Sequence, residues 1–207
     1  MSGRFISLEG GEGAGKSTQL RRLAEALRAR GLEVVETREP GGSPGAEAIR
    51  GLLLQGDEQR WTPEAEALLF AAARADHVAK TIRPALAVGK WVLADRFVDS
   101  SIAYQGGAGD LGFDRIRALH DIGSHGFLPD RTLLLRVGAD EAAARANSRD
   151  AGGGDRIGSR SAGYHGRVAA AFAALAEQEP ARFRMVAAGG DADAVTARLL
   201  AALEDLL

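Results

Sequence analysis

The chain reads as one α/β domain, a five-stranded parallel sheet flanked by helices and carrying a mobile lid. Three observations predict this. Gly10 to Ser17 meets the Gly-x-x-x-x-Gly-Lys-Ser/Thr phosphate-loop pattern, and it lies between a short apolar run and a segment of helical periodicity. Short apolar runs alternate with helical-period segments along the 207 residues, the rhythm of a layered α/β fold. A stretch near 148–160 combines arginines with the run Gly152-Gly153-Gly154 and has no apolar residue at its centre to pin it, as a mobile basic lid would.

Phe5, Ile6 and Leu8 suit a buried first strand, and Leu20, Leu23, Ala24 and Leu27 recur at helical spacing after the loop. Glycines between them allow positive φ angles, so backbone N–H groups can turn inward around phosphate oxygens. The helix opening at Ser17 points the positive end of its dipole at the same anion. Gly10, Gly11, Glu12, Gly13, Ala14, Gly15, Lys16, Ser17 and Thr18 are therefore the candidate nucleoside triphosphate cradle. Lys16 is placed to reach the β and γ phosphates, and the Ser17 hydroxyl to ligate Mg²⁺.

Gly31 stops the first helix, and Leu32 to Thr37 gives the second strand. The turn Arg38-Glu39-Pro40-Gly41-Gly42 follows on the sheet edge where ligands gather, which makes Arg38 a candidate anion clamp. Ala46 to Leu54 reads as a short helix, and Pro63 opens a longer one through Ala79, bent or ended before Pro84. Phe70 and Arg74 share a face of it. Together they could hold a flat heterocycle, although the pair taken alone reads better as a core ring beside a surface arginine.

Trp91 to Ala94 is a buried strand delivering Asp95, a candidate second Mg²⁺ anchor, and Arg96 to its carboxyl end. Ser100, Ser101, Tyr104 and Gln105 run into Gly106-Gly107 and suit either a substrate wall or a plain surface helix. Phe113 to Ile122 is helical, Thr132 to Val137 is the fourth strand, and Asp140 caps an alanine-rich helix. A helix through Leu175, a strand from Phe183 to Ala187 and a last helix carrying Val195, Leu199 and Leu203 complete the chain.

A formal charge of -2 gives no global footprint for nucleic acid, and no apolar stretch approaches the roughly 20 residues that span a bilayer. The absence of cysteine removes disulfides and thiolate chemistry, and the N-terminus resembles no signal peptide, so a cytoplasmic location is expected.

Taken together the motifs resemble those of bacterial thymidylate kinases, phosphate-loop nucleoside monophosphate kinases. The resemblance is carried by Glu9-Gly10 with Glu12 to Ser17, Thr37 to Gly42, Phe70 with Arg74, Asp95-Arg96 with Ser100, Ser101, Tyr104, Gln105, Gly106 and Gly107, and Asp155-Arg156-Ile157. It implies a homodimer that uses ATP and Mg²⁺ to phosphorylate thymidine monophosphate (dTMP). It also implies that Phe70 stacks on thymine, Arg74 bonds a thymine carbonyl, Ser101 lines the base edge and Tyr104 crowds the sugar where a 2′-hydroxyl would sit. Arg38 and Arg96 would hold the acceptor phosphate, with Glu12 facing the acceptor sugar. The phosphate loop carries Glu12 and no arginine, which resembles the members whose catalytic arginine is in the lid, here Arg149 or Arg156. Gly158 stands where the family often has glutamate.

A phosphate monoester is doubly ionised above pH about 6, so no general base is needed and catalysis rests on positioning and charge neutralisation. Two other readings stay open here. One is a kinase for a different nucleoside monophosphate. The other is a GTPase switch, which lacks its base-reading Asn/Thr-Lys-x-Asp motif.

Overall fold

The computed structural model describes residues 3–138 and 155–207. Five strands, β1 (Phe5–Glu9), β2 (Val34–Arg38), β3 (Trp91–Asp95), β4 (Arg131–Arg136) and β5 (Phe183–Ala187), form one sheet in the order β2-β3-β1-β4-β5. Every pairing is parallel. The expected strands are all present, with ends displaced by a residue or two. The expected helix at Asp140 and the Gly152–Gly154 run lie outside the described residues.

Alternation of side chains along the strands splits the core into two layers. Ile6, Leu8, Leu93 and Leu133 face one side, against Leu20, Leu23 and Leu27 of α1 (Lys16–Ala29) and Val195 and Leu199 of α8 (Ala192–Ala201). Phe5, Val92, Ala94 and Leu134 face the other. That layer is covered by α3 (Pro63–His77), α5 (Val98–Ser101), α6 (Phe113–Ser124) and α7 (Ala162–Gln178), with Ile116, Phe172 and Leu175 packed inward. Both faces of the sheet are thus apolar, which a parallel sheet requires.

Local chemistry sets the helix starts. The Ser43 hydroxyl accepts from the Ala46 N–H ahead of α2 (Pro44–Leu54), and the Thr62 hydroxyl from the Ala65 N–H ahead of α3. In both helices proline occupies the first turn, where its missing N–H costs nothing. After His77 the chain does not break at Pro84. It widens into a π-type turn over Val78–Ile82 and resumes as α4 (Arg83–Ala87), so Pro84 falls in a new first turn. A second π-type segment, Ile102–Ala108, extends α5 and is almost wholly buried. The Ser100 to Gly107 region is therefore an inner wall and not a surface helix.

Register brings the ligand-facing ends level. Leu8 lies beside Asp95, and Asp95 beside Arg38, so Glu9, Glu39 and Arg96 all emerge at one edge of the sheet. Among the described residues no helix is long and apolar enough to cross a membrane.

Candidate active site

A cleft of about 800 Å³ opens along that edge. Its first wall is the loop from Glu12 to Gly15 with Lys16, Ser17 and Thr18 of α1. Gly10 itself, at φ +141°, lies behind this surface, and a Cβ there would come within 2.6 Å of the Leu135 carbonyl oxygen. Only glycine fits, because the backbone must pass that close while adopting a conformation L side chains avoid.

The buried Lys16 Nζ donates to the carbonyls of Gly10 at 3.1 Å and Gly11 at 2.8 Å. Burial, and then the nearby Arg96 charge, pull its pKa down to about 8. Ser17 Oγ donates to Asp95 Oδ2 at 2.6 Å, joining the two oxygens expected to hold Mg²⁺. The described residues contain no cluster of three or more acidic or imidazole ligands. That donor set suits Mg²⁺, which takes few protein oxygens and completes its shell with phosphate and water.

Arg96 lines the cleft at φ +70°, a left-handed backbone unusual for an arginine and a sign of local constraint. Its guanidinium donates to Glu12 Oε1 at 2.6 Å, the Gly10 carbonyl at 3.1 Å and Ser100 Oγ at 3.2 Å, and stacks 5.0 Å from the centre of the Tyr104 ring. Burial works against this charge, but Tyr104, Glu12 and Asp95 outweigh it and lift the pKa above that of ordinary arginine. The Tyr104 hydroxyl donates to Glu12 Oε1 at 3.2 Å, and burial raises its pKa.

Beneath them Glu9 is fully buried, accepting from the Phe97 N–H at 2.7 Å and the Ser100 hydroxyl at 2.6 Å. Burial first, and then repulsion from Asp99, raise its pKa to about 8.

The far wall carries Phe70, Arg74, Ser101 and Gln105. Arg74 is buried, with Nε 2.8 Å from Glu39 Oε2 and Nη2 donating to Ser101 Oγ at 2.8 Å. Arg38 also lines the cleft, half exposed, with Nη2 3.2 Å from both carboxylate oxygens of Glu47. Gln105 Nε2 donates to the buried Glu66 at 2.9 Å.

Arg156 departs from the expected placing beside the transferred phosphate. It is buried, donating to the carbonyls of Leu53 at 2.8 Å and Glu58 at 3.3 Å and pairing with Glu66, and it does not line the cleft. A buried guanidinium needs a carboxylate partner, and Glu66 supplies it here. The cleft side of this segment is formed by Asp155, Ile157 and Gly158. Gly158 has room for a Cβ, the nearest atom being 3.4 Å away, and its N–H donates to Asp155 Oδ1. Arg149 lies outside the described residues.

Two contributors escaped the sequence reading. Arg50 lines the cleft and donates to the Pro40 carbonyl at 2.6 Å; burial, then Arg38, depress its pKa. The available signal was its place on α2, three residues after Glu47 and directly behind the Pro-Gly-Gly turn. Glu39 is the buried acid that holds Arg74, and it could have been suspected from lying inside the turn motif.

Comparison with known proteins identifies the family. A family model described as thymidylate kinase matches residues 8–199. The chain is 63% identical to a thymidylate kinase of Rhizorhabdus wittichii over the full length of both, and 50% identical to one of Caulobacter vibrioides over 95% of this chain and 94% of that protein. A crystal structure of thymidylate kinase from Ehrlichia chaffeensis is similar with a TM-score of 0.79 at 30% identity, covering 98% of this chain and 100% of that one. With its phosphate loop, its Arg-Glu-Pro-Gly-Gly turn and its Phe70–Arg74 wall on one cleft, this chain belongs to the thymidylate kinase family.

Proposed function

We propose that the protein transfers the γ-phosphoryl group of ATP to the 5′-phosphate of dTMP, yielding dTDP and ADP and feeding dTTP synthesis in the cytoplasm. The observation that carries this is one cleft lined by the cations Lys16, Arg38, Arg50 and Arg96. Lys16 would serve the triphosphate, and the arginines the acceptor phosphate. Beyond the acceptor cations, Phe70 and Arg74 offer a ring and a donor to a flat base.

Lys16 would leave its two carbonyl partners for the β and γ phosphates, and the loop N–H groups would hold the triphosphate in line. Ser17 and Asp95 would hold Mg²⁺, which when bound neutralises charge on the phosphates. Arg96 and Arg38 would hold the acceptor phosphate, already ionised and needing no base. Glu12, bridged to Arg96 and Tyr104, would set the sugar side, where Tyr104 leaves little space for a 2′-hydroxyl. Arg149 would be the lid arginine that meets charge developing on the transferred group. Arg156 would anchor the lid's trailing end instead.

A homodimer is part of the same reading. Leu68 on α3 and Ile122 on α6 are 55% and 78% exposed on helices that pack together, apolar side chains that a second copy would cover. The reaction is tested by ³¹P NMR of ATP, Mg²⁺ and dTMP with the purified enzyme. Appearance of the dTDP β-phosphorus resonance is expected, and ATP hydrolysis to inorganic phosphate with dTMP unchanged would oppose the reading.

A further inference from the structure

We infer that His77 is a positioning residue for base recognition, holding Arg74 through Glu39 while supporting the turn that carries Arg38. The inference rests on the reading that Arg74 faces the nucleobase.

His77 is completely buried at the end of α3, yet both ring nitrogens go to the end of β2 and the turn after it, where Glu39 lines the cleft, and not to its own helix. Nδ1 is 2.9 Å from Glu39 Oε1, and Nε2 is 2.7 Å from Thr37 Oγ1. A carboxylate only accepts, so Nδ1 carries the hydrogen and the edge of the ring that faces Glu39 is fixed. The other carboxylate oxygen accepts from Arg74 Nε. Arg74 Nη2 is held by Ser101 Oγ and, at 3.3 Å, by the Phe97 carbonyl, which leaves Nη1 for a ligand in the cleft.

Thr37, His77, Glu39, Arg74 and Ser101 thus form one hydrogen-bonded series from the end of β2 to the base wall. Its middle, Glu39, has two buried partners, and removing either leaves a buried carboxylate short of hydrogen bonds. An arginine held at two nitrogens presents the third at a fixed place, as discrimination between bases requires.

The same ring bears on the 38–42 turn. Gly42 has φ +84°, and a Cβ there would meet His77 Nε2 and Thr37 Oγ1 at 2.4 Å each, so the turn backbone lies directly on the imidazole. Thr81 Oγ1 donates to the Gly42 carbonyl at 2.6 Å from the following π-type turn. One rigid side chain therefore sets the separation between the base-reading arginine and the Arg38 clamp.

The test compares His77→Leu, His77→Asn and Thr37→Val with the parent full chain, by steady-state kinetics on dTMP and dCMP at saturating ATP and Mg²⁺, alongside thermal unfolding. Asparagine keeps a donor near the Nδ1 position, whereas leucine offers none. His77→Leu is expected to raise the KM for dTMP about tenfold with kcat within about threefold, and to lower the dTMP-over-dCMP ratio of kcat/KM about tenfold, as for loss of one charged hydrogen bond. His77→Asn should return KM and selectivity to within about threefold of the parent although its Tm is lowered like that of His77→Leu, because both lose the Thr37 contact. Variants that change Tm while keeping the parent's KM and selectivity would overturn the inference. Should His77→Leu fail to fold, Thr37→Val decides: a rise of about threefold in dTMP KM is expected, and an unchanged value would refute the role. A parent that does not phosphorylate dTMP would remove the underlying reading as well, and indifferent variants of an active parent refute this inference alone.

Discussion

Lys16 is a cation buried at the phosphate loop. Two carbonyls hold its ammonium, and burial lowers its pKa to about 8, so it is charged below that pH and increasingly neutral above it. The affinity for ATP with Mg²⁺ should accordingly weaken as pH rises from 7 to 9, measured by titration calorimetry. Lys16→Ala should abolish turnover while Tm shifts little, because the glycines and not the lysine set the loop backbone. A pH-independent affinity or an active Lys16→Ala enzyme would contradict this assignment.

Glu9 carries the opposite sign. Its pKa is raised from 4.5 to about 8, so between these values the folded protein keeps a proton that the unfolded chain releases. The contribution of Glu9 to stability should be fully present below the lower value and be lost as pH rises toward the upper one. Urea midpoints between pH 5.5 and 8.5 would show that loss in the parent and a flatter profile in Glu9→Gln. Residue types at the site were legible where backbone chemistry fixes them, as in Gly10, Lys16 and Asp95. Arg156 was not, because a sequence shows an arginine near glycines and does not show that Glu66, 90 positions away, is buried beneath it.

At the scale of elements, the 155–160 segment is anchored by Glu66 on α3, which receives both Arg156 and Arg160 while its other oxygen receives Gln105 from the cleft wall. Arg156→Ala should destabilise the protein by about 2–4 kcal/mol, since it removes one partner of a buried ion pair while Arg160 remains. Thermal unfolding reads that loss directly. If Arg156 instead acts mainly in the transition state, kcat would fall by orders of magnitude with Tm unchanged. The start of α3 was readable from Pro63 because proline suits a first turn, whereas α2 begins at Pro44, two residues before the expected Ala46, with Ser43 as its cap. The π-type turns were not readable. Val78–Ile82 precedes Pro84 at the start of α4, and Ile102–Ala108 packs against α6 and α7, contacts that local sequence does not display.

At the scale of the molecule, the five parallel strands followed from apolar runs separated by helical segments. Their order needed register, which places Asp95 between Leu8 and Arg38 and so assembles the cleft from three strand ends. The acceptor end was legible only in part, since Arg50 and Glu39 join it through the way α2 and α3 pack over the turn. Sedimentation should show a dimer, and Ile122→Glu should shift it toward monomer if the exposed α3–α6 face is the contact.

The central claim, that this cleft selects dTMP as its phosphoryl acceptor, is tested most directly by kcat/KM across a panel of nucleoside monophosphates with ATP and Mg²⁺. The expected result is dTMP highest by at least about tenfold over dCMP, dGMP, dAMP and the ribonucleotides, with Arg74→Ala narrowing that margin. An equal or higher value for another base, or a margin unchanged in Arg74→Ala, would contradict it.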